Sequence, residues 1–205
     1  MNKSTFNPFK RVERSVPLGA IHDISRPCKG RRLAALAALA TILASSATVA
    51  VATPPEGVLS GTVFARGSFA DLTNVRFAIT PDASTPCLVD VVRARYARET
   101  VVQQIVIAPG GNSGWHTHPG PVVVVVQAGQ LSFYDADDPT CTVRTYSAGQ
   151  VFVDSGQGHV HIARNEGSVN LELWTTYFDV PRVDPSVPLS GAFRIDAPNP
   201  GNCSF

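Results

Sequence analysis

Two His-x-His pairs, His116-Thr117-His118 and His159-Val160-His161, hold every histidine that follows residue 52. In an extended strand, residues i and i+2 project to the same side. Each pair therefore aims two imidazoles into one space, and two such strands side by side offer up to four nitrogen donors. Neutral imidazole is the commonest metal ligand and serves iron, manganese, zinc, nickel and copper to differing degrees. The chemistry to which the pattern points is a divalent metal centre. A pair of ordinary surface histidines is the plainer reading. It is opposed by the setting, since both pairs lie in apolar, strand-like sequence beside glycine-rich turns.

Such groups need rigid elements to hold them. After residue 52 the chain is a series of short apolar runs rich in Val, Ile, Thr, Phe and Tyr, divided by Gly, Pro, Asn and Asp. That composition and spacing predict strands at 58–65, 75–79, 87–95, 101–108, 122–127, 131–134, 142–146, 150–153, 160–164, 170–177 and 192–195. No long helix-period stretch occurs there, so the expected class is all-β, a sandwich or barrel. The stretch 53–56 is expected to be loose, and the proline-rich tail from Pro181 to wrap the outside.

The glycines around the histidines add a second pattern. Gly110, His116, His118 and Gly129 stand at the spacing G-x5-H-x-H-x10-G, and Gly149, Gly156, Gly158, His161 and Asn165 follow. This resembles the two motifs of the cupin superfamily, in particular its small single-domain, cupin-2-like members. The likeness covers 110–165. It departs at Val122, where the family motif has an acid, and at Gly156, where the family has proline and one extra residue precedes it. The resemblance implies a cupin jelly-roll β-barrel, or double-stranded β-helix, with a divalent metal held by His116, His118 and His161. His159 shares the parity of His161 and is a candidate fourth ligand, a group that supports a ligand from behind, or a substrate-facing group. Val122 cannot ligate, so a three-His site would keep its full metal charge and an open position.

The same parity turns Val122, Val124 and Val126 toward the cavity, and Val123 and Val125 toward a second sheet or a partner chain. One of Gln103 and Gln104 must face inward; Gln103 is the expected cavity residue. Trp115 should point away from the metal. Phe133, Phe152 and Trp174 are expected in the core.

The first 52 residues read differently. They are basic up to Arg32 and then uncharged from Leu33 to Ala52, ending Ala50-Val51-Ala52. Basic flank, apolar run and small-x-small end predict a signal peptide at 1–52 and a single domain at 53–205. The domain then lies outside the cell, with a membrane anchor only if the segment stays uncleaved. The remaining nine arginines, no lysine and fourteen acids argue against nucleic acid as a partner. Cys87, Cys141 and Cys203 permit three single pairings; turn-like sequence around Cys141 and Cys203 favours that disulfide, worth on the order of 4 kcal/mol.

Three functions remain open at this level. One is a metal-dependent enzyme on a small molecule, of dioxygenase or isomerase type. Another is a non-catalytic module that holds a metal or small ligand. The last is a metal-free structural barrel. A homodimer formed by edge pairing is compatible with each.

Overall fold

Polar and apolar residues alternate along the strand sequence, and burial follows them: in Leu171–Val180 Leu171, Leu173, Thr175 and Tyr177 are buried and their neighbours are not. The computed structural model describes residues 51–79 and 90–205. Nearly all of the expected export segment, and Cys87, lie outside the described residues. The described strands are β1 (Glu56–Ser68), β2 (Val75–Ile79), β3 (Asp90–Ala94), β4 (Glu99–Asn112), β5 (His116–Thr117), β6 (Val122–Ala128), β7 (Gln130–Asp135), β8 (Arg144–Ser147), β9 (Val151–Asp154), β10 (His161–Arg164), β11 (Leu171–Val180) and β12 (Ile195–Asp196).

Ten of these form one antiparallel sheet that folds over itself as two halves. One half runs β1-β4-β11-β6-β9, the other β12-β5-β10-β7-β8. They meet where Arg164 of β10 pairs with Asn112 at the end of β4. The result is an all-β jelly roll, the double-stranded β-helix of the cupin fold. β2 and β3 form a separate two-stranded ribbon, whose Phe77 packs against Phe178 of β11 at 5.8 Å between ring centroids.

The core lies between the halves. Val101, Val126, Leu131 and Leu171 are fully buried, each contributing roughly 1.5–3 kcal/mol by leaving water. A second cluster sits outside the barrel around Trp115, with Tyr134, Ile162, Ala197 and Cys203. Trp115 thus points away from the cavity, as its parity required.

Both expectations about the chain ends need correction. Residue 53 is tied down, not loose: the Thr53 amide donates to the Ala197 carbonyl at 3.0 Å, and its hydroxyl accepts from the Trp115 amide at 2.7 Å. The tail does more than wrap the barrel. Its strand β12 begins only at Ile195 and pairs with β5, so Ala192, Phe193 and Arg194 before it reach the cavity. A disulfide joins Cys141 to Cys203 and anchors the tail's end.

Asn165 fastens the corner where β10 leaves the barrel. Fully buried, it donates through Nδ2 to the carbonyls of Ile107 and Val169, both at 2.8 Å, and accepts from the Gly167 amide through Oδ1. Replacing a buried, fully bonded side chain strands its partners. Asn165→Leu is therefore expected to lower unfolding stability by about 3 kcal/mol, measured by urea denaturation. A loss below about 0.5 kcal/mol would show that the corner is held by other contacts.

Candidate metal centre

His161 of β10 lies directly opposite His116 of β5 across the antiparallel ladder. His118 follows β5 by one residue, and the strand parity carries it to the same side. The three rings gather tightly, with centroids 4.4 Å apart for His116–His161, 4.8 Å for His116–His118 and 5.2 Å for His118–His161. One nitrogen from each lies within 4.8 Å of the other two, and all three side chains are buried.

Two of the tautomers are fixed by backbone acceptors. His116 Nδ1–H donates to the Gly114 carbonyl at 2.8 Å, and His118 Nδ1–H to the Phe193 carbonyl at 2.7 Å. A carbonyl only accepts, so each Nδ1 carries the proton and each Nε2 keeps its lone pair. His161 Nδ1 is different. It is buried with no hydrogen-bond partner among the described residues, although Asp154 Oδ1 stands 3.5 Å away. Phe133 stacks on the His161 ring at 4.7 Å. Burial pushes all three imidazoles below the usual histidine range, His116 and His161 well below it. Three neutral, nearly dry nitrogen donors therefore converge, and this donor set fits a borderline divalent cation.

The nitrogens open on a cavity of about 330 Å³. Val122, Val124 and Gln103 line it, with Ile105 and Ile107 beyond them. Val126 packs into the core. Gln104 and Glu172 bond each other at 2.7 Å on the outer face. Trp174 is also outside, its indole against Phe64 at 4.9 Å, whereas Phe133 and Phe152 face the cavity. Among the described residues, five polar groups border this apolar space besides the histidines and Gln103: Ser113, Asp154, Thr175, Tyr177 and Arg194. The Tyr177 hydroxyl donates to Gln103 Oε1 at 2.9 Å, and burial pushes its pKa up to about 12. Arg194 donates to the Ser113 carbonyl and to Asp196. The glycines of the second motif make the wall possible. Gly156 has φ +57°, and a Cβ there would strike the Gly120 carbonyl oxygen.

His159 does not join the three nitrogens. It precedes β10, so strand alternation does not govern it. Its Nε2 donates to Asp135 Oδ1 and its Nδ1 to Asp154 Oδ1, each at 2.9 Å. With both nitrogens protonated it has no lone pair for a metal. Asp135 continues the chain outward to Arg144 at 2.6 Å. A line of charge thus runs from the cavity wall at Asp154 to the surface. Asp154, Tyr177 and Arg194 are functional candidates that sequence reasoning missed. The available signal for Asp154 was a lone acid closing the apolar run Val151-Phe152-Val153.

The hydrogen bonds to Asp135 and then Asp154 raise the His159 pKa to about 10, against about 6.5 unfolded. A raised histidine stabilises the fold fully below its unfolded value and loses that contribution as pH climbs through the folded one. Unfolding midpoints are therefore expected to fall between pH 6.5 and 10 in the wild type, and to stay flatter in His159→Gln. Identical slopes in urea titrations across that range would disprove the imidazolium assignment.

No protein-family model matches the chain, and no curated protein matches it. Solved structures do match. A conserved protein with a double-stranded β-helix domain from Klebsiella pneumoniae is 23% identical over 38% of this chain and 64% of its own, with TM-score 0.34. A cupin-2 domain protein from Shewanella frigidimarina is 18% identical over 38% and 68%, TM-score 0.31. An oxalate oxidase is 25% identical over 39% and 41%, TM-score 0.34. This chain spans less than two thirds of the first and third of these chains. By its own strand order, the chain has the double-stranded β-helix fold of the cupins.

Proposed function

We propose that the protein is an exported metal-binding barrel in which His116, His118 and His161 hold one divalent cation beside a cavity for a small molecule. The observation that carries this reading is the pair of backbone acceptors on His116 and His118, which hold the proton on each Nδ1 and leave each Nε2 lone pair free to ligate. Histidines placed only for packing have no need of a shared, dry convergence point. When bound, a divalent ion at such a site supplies Lewis acidity and open coordination positions. Iron would suit oxygen chemistry of the dioxygenase type; manganese, nickel or zinc would suit isomerisation; copper remains a further candidate.

The chain's own residues set what else can happen there. The aliphatic wall of Val122, Val124, Ile105 and Ile107 excludes water and takes an apolar body. Arg194, Tyr177 and Gln103 supply the polar contacts that would orient a small, acidic or hydroxylated head. Tyr177, protonated at any physiological pH, acts as a hydrogen-bond donor and not as a base. Retention of a ligand without turnover is the second reading. It is favoured by Asp154, the one carboxylate bordering the cavity among the described residues, being already engaged by His159.

Export is supported by the disulfide, a bond that persists in oxidising compartments. Partners other than a small molecule follow from charge and edges. The acidic, lysine-free domain is unsuited to nucleic acid. β1 pairs through one edge with β4, and its other edge, unpaired among the described residues, and exposed Leu59, Val63 and Phe64 suit a homodimer.

Elemental analysis of the purified protein, beside a His116→Ala/His161→Ala double variant, tests the reading. About one divalent ion per chain is expected in the wild type and none in the variant, with circular dichroism unchanged. A wild type that stays metal-free even after reconstitution would leave a barrel without an ion.

A further inference from the structure

We infer that Asp154 is the carboxylate of the metal centre, a positioning residue that acts through His161 from the strand beside Val122. The inference rests on the three-histidine site proposed above. Three neutral imidazoles leave a divalent cation's charge uncompensated within an apolar wall, and the cavity's Arg194 adds to it. A carboxylate close by is the remedy. Position 122 on β6 offers only an isopropyl group. Its cross-strand partner on β9 is Asp154. The acid missing at 122 is thus present one strand over, on the same cavity wall.

Its burial and contacts fit a role beyond closing a loop. The Asp154 side chain is 1% exposed, and a buried carboxylate is costly unless every lone pair has work. Oδ2 accepts from the Gly156 amide at 3.2 Å. Oδ1 accepts from His159 at 2.9 Å and lies 3.5 Å from His161 Nδ1. That Nδ1 is the unpartnered ring nitrogen of the site. A cation drawing electron density from Nε2 makes Nδ1–H a better donor. The small approach to an ordinary length of about 2.9 Å then completes a carboxylate–histidine–metal arrangement. Asp154 faces the Nδ1 side of His161 and lies outside the group formed by His116, His118 and His161, which suits it to orient that ligand. His159 holds Asp154 from behind in that orientation.

The test uses the full-length protein stripped of metal and titrated with Co²⁺ in a calorimeter. Asp154→Asn is expected to weaken binding about 10- to 100-fold, and Asp154→Glu, which keeps the charge, to recover most of that loss. Asn binding within twofold of the wild type overturns the inference while the metal site stands. A wild type that takes up no Co²⁺ removes the metal site and the inference with it. Should Asp154→Asn fail to fold, histidine ¹⁵N spectra of the metal-free wild type decide instead. A His161 with its proton on Nδ1 supports the role, and one protonated on Nε2 overturns it.

Discussion

The antiparallel register of β10 against β5 governs this molecule. One pairing, His161 opposite His116, brings together two residues 45 positions apart in the chain. Slipping β10 by one residue would turn both its buried histidine and its apolar neighbours to the other face. The register is therefore fixed by everything that β10 touches: β7 on one side, β5 on the other, and Asn165 at its exit. The site inherits its geometry from this ladder, and the loops contribute mainly hydrogen-bond acceptors.

Those acceptors show how backbone and side chain divide the work. Gly114 turns its carbonyl back to His116 in a left-handed conformation, where a Cβ would collide with the Thr53 carbonyl. Phe193, from the tail, supplies the matching carbonyl for His118. His161 has no carbonyl and faces a carboxylate. Three chemically equal side chains thus meet three different supports, contributed by a turn, the tail and a neighbouring strand.

Much of this was legible in the sequence, and the limits have physical causes. Period-two alternation and turn residues located most strands, and parity placed Val122, Val124 and Gln103 on the cavity wall. Parity put His159 beside His161, where the rings stack at 5.7 Å, but could not tell a ligand from a supporting group; its bonds to Asp135 and Asp154 are contacts that local spacing does not encode. β5 was invisible as an element, being two residues long, yet it carries the first histidine. Asp154 escaped notice because its importance lies in its cross-strand neighbour, and strand pairing is not encoded in local spacing. The tail's share of the cavity was hidden for the same reason: Phe193 bonds His118 and Arg194 bonds Ser113 from 75 or more residues away.

The meeting of Thr53 with Ala197 carries a consequence for the order of events in folding. The two residues lie 144 positions apart in the chain. Contacts of such long range form late, because the chain must first surrender the freedom of everything between them. The barrel wall can therefore condense before this contact closes. With the tail pinned beyond Ala197 by the Cys141–Cys203 bond, loss of that contact would leave the tail tethered and the barrel strands paired.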